Sequence, residues 1–355
     1  MNDQLRNEII TTLYTLDLGN GFAKRKIQDN GEVIVDSSVL AKKPEGFNSS
    51  DLSTYSLNKT DLYYVGNDVV KTKLKALRAQ TIDKSERYFS ERYELLLYAF
   101  IASDFPNAKE INIPVLGLML PNEHYALCEE KLQQKYTGSK VITVSGVDVK
   151  VNVEEVVVLP QPLGSYMYAL GQNKITKEEE VLVCDGGAGT FDPAVVVNNF
   201  VTDDNYSNEG VDNAYIQIRK RLIELYGELP YFKTLSNIPL ILQHGVLKDG
   251  ELHAIAEDKK IVKILDDHLA NIFEYLLENQ YNVTSYGKVL WTGGLAPLHK
   301  DRLEAMSNKN FVILGEEGQE ANVLGLWNVV KAAYRFKGGA PLDGKQATAN
   351  ENQLN

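Results

Sequence analysis

Twice in 355 residues an apolar strand ends in an aspartate and reverses through closely spaced glycines. The first instance is Asp17-Leu18-Gly19-Asn20-Gly21-Phe22-Ala23-Lys24; the second is Asp185-Gly186-Gly187-Ala188-Gly189-Thr190-Phe191-Asp192. A glycine turn lets several backbone N–H groups converge on one anion, because no Cβ blocks the approach. Aspartate at the strand end suits Mg²⁺ held through water, since that ion keeps much of its hydration shell. Lys24 on the returning strand adds a point charge suited to phosphate. Gly-Asn-Gly is also ordinary turn chemistry, so the first hairpin alone decides nothing. The second is more demanding, because its glycines, set between Val181-Leu182-Val183 and Val195-Val196-Val197, exceed what a two-residue hairpin needs. That excess implies close approach of the backbone to a ligand. Pro193 cannot donate to a ladder, so its strand is expected at an edge or to start later.

Two further segments carry chemistry. Val289-Leu290-Trp291-Thr292-Gly293-Gly294-Leu295-Ala296-Pro297 reads as a buried strand running through Gly-Gly into a helix, which offers a flat backbone surface to an aromatic ring. Between the hairpins lies Leu159-Pro160-Gln161-Pro162-Leu163-Gly164. Its prolines favour an extended, stiff backbone, on which a side-chain amide is either a solvated loop group or a fixed orienter of water. The five histidines show no metal-ligand spacing and the two cysteines no CxxC pairing; nucleophile-elbow and P-loop motifs are absent too.

Around these motifs the chain alternates strand and helix. Residues 13–39 read as a β-meander and 41–63 as loop with short strands. Residues 85–105 read as one long helix with a broad apolar side, so Tyr88, Phe89, Tyr93, Tyr98 and Phe100 are expected in the core. Apolar runs at 111–120, 141–144 and 147–159 predict strands, with a helix over 123–136. Residues 171–180 form a polar junction, after which the strand, glycine turn, strand pattern returns as a weak internal duplication. Helices are expected at 212–226, 259–280 and 321–336, a strand at 288–291, and a polar tail over 338–355.

At about 150 residues per domain this length predicts two domains. A net charge of −11 disfavours direct, broad contact with nucleic acid. Two cysteines far apart fit a reducing, cytoplasmic setting, and no segment reaches the length of a membrane span or export signal.

Taken in order, the three glycine-rich segments resemble the phosphate-1, phosphate-2 and adenosine motifs of the actin and sugar-kinase ATPase superfamily. Within it the chain is most similar to the ParM and StbA-type plasmid segregation proteins, in the helix beginning Glu86-Arg87-Tyr88, the Leu159 to Gly164 segment and the second hairpin. The resemblance implies an α/β, actin-like two-domain ATPase fold, each domain a mixed sheet with flanking helices, and nucleotide in the interdomain cleft. It implies domain I over 13–170 plus 321–337 and domain II over 171–320. Carried over by motif, Asp17 and Asp185 hold Mg²⁺ through water. Gly19, Asn20, Gly21, Gly187, Ala188 and Gly189 offer their backbones to the phosphates of ATP or GTP, with Lys24 adding its amine. Gly293, Gly294 and Leu295 face the nucleoside. Gln161 occupies the place of the residue that positions the attacking water, and as a poor base it implies slow hydrolysis. Arg219, Lys220, Arg221 and Glu224 fall where relatives surround the base with charge, but equally fit a solvated helix face.

The resemblance further implies a homopolymer filament, assembled head to tail, and a separate DNA-binding adapter through which an acidic filament holds a plasmid centromere. The rival readings on the same superfold are a small-molecule kinase and a nonpolymerising ATP-dependent scaffold. The Pro160-Gln161-Pro162 stretch lacks the acidic base a sugar kinase wants near its acceptor hydroxyl.

Overall fold

The protein is described by a computed structural model covering residues 6–339 except 20, 48, 50, 80–84, 203–207, 256 and 307. The expected tail therefore lies outside the described residues from 340 onward. Contacts divide the chain into two compact units: one runs through Gly171 and takes up the chain again at Asn322, and the other is Gln172–Ala321.

In the first unit a five-stranded sheet orders Val156–Pro160, Leu116–Leu120, Tyr14–Leu18, Phe22–Lys26 and Ile34–Ser37. Its last three strands are the expected meander, antiparallel and consecutive. Leu116–Leu120 pairs in parallel with Val156–Pro160 on one side and with Tyr14–Leu18 on the other. A second sheet contains Glu8–Thr11, Ala108–Ile113, Val147–Val153 and Gly138–Val144. The apolar runs read as single strands at 111–120 and 147–159 are thus each two strands in different sheets. The chain steps between sheets at Pro114-Val115 and at Glu154-Glu155, where a residue without an N–H, or a pair of charges, interrupts the ladder.

The long helix expected over 85–105 is also divided. A 3-10 turn, Ser85–Phe89, precedes the helix Glu91–Asp104, and Ser90 caps the latter by accepting the Tyr93 N–H on its hydroxyl. That side-chain bond replaces the backbone partner a continuous helix would supply. Nor is the helix one-sided: every residue from Leu95 to Ala102 is buried, as expected of a helix that is apolar all round. Tyr88, Tyr93, Tyr98 and Phe100 lie in this core.

At the foot of that helix Asp104 holds Arg25 of the meander through two bonds, Nε to Oδ2 at 2.9 Å and Nη2 to Oδ1 at 3.2 Å. Tyr14 donates its hydroxyl to the same carboxylate at 2.7 Å, and the guanidinium lies 4.4 Å from the Phe100 ring centroid. Both side chains of the ion pair are nearly fully enclosed. Such a pair costs about as much in lost hydration as it returns, yet removing one member strands the other.

The second unit is built on the order Phe200–Val201, Thr190–Val197, Val181–Gly186, Lys288–Gly293 and Phe311–Ile313, with Asn208–Glu209 also pairing on Thr190–Val197. Helices Asp212–Tyr226 and Lys259–Glu278 pack together over a core that includes Trp291, Phe191 and Leu269. Among the described residues no helix is long and apolar enough to cross a membrane.

Asp104→Ala is expected to cost about 3 kcal/mol in urea unfolding, because it strips buried Arg25 of its two hydrogen bonds and leaves only the Asp36 carboxylate, 3.8 Å away. The double substitution Arg25→Met with Asp104→Leu is expected to recover most of that loss; a double variant no better than Asp104→Ala would contradict this account.

Candidate functional site

The first hairpin is positioned by buried sheet. All five residues of Tyr14–Leu18 are buried, and Asp17 stands opposite Lys24 in the register, so both side chains leave the sheet on one face. Gly19 donates its N–H to the Phe22 carbonyl at 3.0 Å and closes the turn. A Cβ at Gly19 would lie 3.1 Å from that same oxygen. The Gly19 amide, expected on a phosphate, is therefore engaged inside the turn. Asn20 lies outside the described residues. Gly21 accepts the Ser38 N–H on its carbonyl at 3.1 Å, and a Cβ there would meet nothing within 4 Å.

Gln161 reaches this hairpin from far along the chain, its Nε2 donating to Asp17 Oδ1 at 2.9 Å. The extended Pro-Gln-Pro segment read from sequence is instead a strand-to-helix junction. Pro160 ends its strand, and Gln161 opens the helix Gln161–Gly171 with Pro162 second. Proline fits there because the first helical turn needs no N–H partner. Gly164 on this helix meets Gly325 of the C-terminal helix Ala321–Phe336, where a Cβ on Gly325 would collide with the Gly164 carbonyl. Ser165 seals the crossing by donating to Asn322 Oδ1 at 2.7 Å. A pair of small residues near a helix start and in a second helix was the available, unused signal for this contact.

In the second unit Gly187 closes its turn in the same way, N–H to the Thr190 carbonyl at 2.8 Å. The glycine excess has mixed causes. Gly186 is small because Leu295 packs directly on it, whereas a Cβ on Gly189 would meet nothing within 4 Å. The turn rests on the start of the next helix: Val211 donates its N–H to the Gly187 carbonyl at 3.0 Å and Asp212 to that of Ala188 at 2.9 Å. Gly210 permits this approach, since a Cβ there would collide with the Gly187 carbonyl. Asp185 and Asp192 face each other across the hairpin, each 5% exposed, and Thr190 donates its hydroxyl to Asp192 Oδ2 at 2.7 Å. Among the described residues the amides of Gly21, Ala188 and Gly189 have no protein partner.

Pro193 neither delays its strand nor lies on a full edge. Thr190–Val197 runs unbroken, but Asn208–Glu209 covers only Thr190 and Phe191, and Phe200–Val201 only Val196 and Val197. Among the described residues no ladder pairs Pro193 on its outer side, so its missing N–H interrupts none of them.

The Gly293-Gly294 segment meets the second hairpin directly. Lys288–Gly293 pairs in parallel with Val181–Gly186, placing Gly293 beside Gly186. Gly293 has φ +69°, and a Cβ on it would lie 2.5 Å from Asp185 Oδ1. Gly294 caps the helix Leu295–Ala305. The Leu295 side chain is fully buried against Gly186. Of the charged cluster beyond Gly210, Arg221 is taken up by Asp258 through bonds of 3.2 and 2.8 Å and by Glu224 at 3.1 Å. Arg221 holds the Asp258 carboxyl down to about 2, and Asp258 in turn caps Lys259–Glu278. For Arg221 the cluster is thus a clamp between two helices.

His299, on the helix after Gly294, stacks on His268 with a 2.8 Å contact between Nε2 and Nδ1. Burial, with His268 and Arg302 adding repulsion, pushes His299 down to about 3, and burial lowers His268 as well. A histidine kept neutral by the fold contributes stability that is complete above its ordinary value of 6.5 and declines as pH falls toward about 3. Urea midpoints of the wild type are therefore expected to fall from pH 7 to pH 4, with a shallower fall in His299→Leu; equal slopes would contradict it.

Residues 15–164 match the family model of actin-like proteins, N-terminal domain. The apo psk41 ParM protein is 21% identical, covers 92% of this chain and 98% of its own, and superposes with a TM-score of 0.70. Bacillus thuringiensis ParM with ATP is 16% identical over 92% and 99%, with a TM-score of 0.67. The Alp12 filament structure is 17% identical over 91% and 99%, with a TM-score of 0.66. No curated protein matches by sequence. The expected actin-like fold is thus borne out, and with it the resemblance drawn from the three motifs.

Proposed function

We propose that this actin-like chain is a slow, magnesium-dependent ATPase that polymerises into nucleotide-dependent filaments. The observation that carries the reading is the Gln161 to Asp17 hydrogen bond at a glycine turn. It fixes a side-chain amide beside a carboxylate of the kind that holds Mg²⁺ through water. A glutamine orients an attacking water without taking its proton, which favours slow turnover over rapid phosphoryl transfer to an acceptor hydroxyl.

Each hairpin supplies one carboxylate, Asp17 or Asp185, and open amides, at Gly21 or at Ala188 and Gly189, to the magnesium nucleotide, with Lys24 adding positive charge. Among the described residues there is no group of three or more His, Cys, Asp or Glu that could hold a metal ion. Gly293 and Gly294 present backbone to the nucleoside. We treat 13–170 with 321–337, and 171–320, as two actin-like domains.

Assembly draws support from the likeness to a filament structure and to a ParM with ATP. The net charge of −11 argues for a separate DNA-binding adapter if the cargo is a plasmid, and two buried free cysteines suit a cytoplasmic setting.

Light scattering and pelleting over a concentration series test the reading. Scattering is expected to rise above a critical concentration with Mg-ATP and to stay flat with EDTA. Gln161→Ala is expected to assemble yet hydrolyse about 10²-fold more slowly, giving longer-lived polymer, and Asp17→Ala to lose Mg-nucleotide-dependent assembly. A protein that binds ATP but stays monomeric at high concentration would sink the filament claim and turn the search to phosphoryl acceptors.

A further inference from the structure

Arg87 has no part in the site as read so far, yet it touches the first hairpin from behind. It lies in the 3-10 turn Ser85–Phe89, is 8% exposed, and donates from Nη2 to the Leu18 carbonyl at 2.6 Å. The carbonyl of Leu18 and the N–H of Gly19 are opposite ends of one planar peptide unit. Arg87 holds the first end and the Phe22 carbonyl the second. The plane that begins the glycine turn is thus gripped on both sides.

Aromatic rings flank the guanidinium. It lies 5.2 Å and 5.9 Å from the ring centroids of Tyr88 and Tyr93. Its turn is tied to the helix Asn122–Tyr136 by the Tyr136 hydroxyl, which donates to the Tyr88 carbonyl at 2.7 Å, and by the 2.8 Å bond between the Tyr88 hydroxyl and His124 Nδ1. The space among Leu18, Gly19, Ser38, Ala79, Arg87 and Leu96 is too tight for a water molecule. Burial pushes the Tyr93 phenol up, while Arg87 opposes the shift and Asp17 adds to it, so cation and carboxylate both act on one buried ring. A charge in such a place is screened far less than a surface lysine.

We propose that Arg87 is a positioning residue of the nucleotide site, clamping the Leu18–Gly19 peptide and placing buried positive charge beneath the turn that receives the phosphates. This rests on the ATPase reading. Arginine is suited to the task because it stays charged when buried and stacks on aromatic faces while donating.

Calorimetric titration of the full chain with Mg-ATP and with adenosine, for the wild type, Arg87→Gln and Arg87→Lys, tests it. Arg87→Gln keeps a donor but removes the charge, and is expected to bind Mg-ATP at least about tenfold more weakly with adenosine affinity unchanged. Arg87→Lys restores the charge and is expected to bind Mg-ATP within about threefold of wild type. Equal losses for ATP and adenosine would mark a merely structural role and overturn the proposal, as would an Arg87→Gln protein that binds Mg-ATP like the wild type. Should Arg87→Gln not fold, Arg87→Lys decides: a folded variant that has lost its preference for ATP over adenosine overturns the proposal, and one that keeps it supports it. A wild type that binds no Mg-ATP removes the ATPase reading itself, and this inference with it.

Discussion

Parallel pairing of three strands is the constraint on which the first unit's site depends. Tyr14 and Val156 each pair with Leu116, so the strand carrying Asp17 and the strand leading into Gln161 run level across the sheet. Only then does a side chain 144 positions away reach the Asp17 carboxylate. Side chains alternate faces along a strand, so a slip of one residue would turn Asp17 away. Buried Leu16, Leu118 and Val158 resist that slip, because it would carry core side chains to the wrong side.

The second unit uses the same device with different parts. The register that sets Gly186 beside Gly293 brings the Asp185 carboxylate close to the Gly293 backbone. Its glycines divide by cause. Gly186, Gly210 and Gly293 are small because protein atoms occupy the space a Cβ would need, whereas Gly189 borders open space, as Gly21 does in the first unit. A glycine-rich motif therefore overstates the number of positions open to a ligand. In each turn one amide, that of Gly19 or Gly187, closes the hairpin.

Buried charge supports the first unit's arrangement. Arg25 with Asp104, and Arg87 with the Leu18 carbonyl, tie the meander to the helix and 3-10 turn packed on it. Each strongly penalises any change that moves one partner without the other. These contacts had no signature in the sequence. Arg25 sits in a run of basic residues and Arg87 in a charged turn, and both patterns read equally well as solvated surface.

The sequence by itself determined the local events: where strands end in aspartate, where glycine turns reverse the chain, and which apolar runs are buried. Those follow from φ freedom at glycine and from hydrophobic periodicity, both short-range properties. From their order the actin-like fold was legible. Tertiary structure alone decided that Pro160-Gln161-Pro162 is a strand-to-helix junction rather than an extended loop, and that Leu295 belongs to the core. It also decided that Pro193 lies inside an unbroken strand, and that Gln161 meets Asp17. Each of these depends on what lies opposite a residue across a sheet or between helices, and that partner is set by packing between segments far apart in the chain.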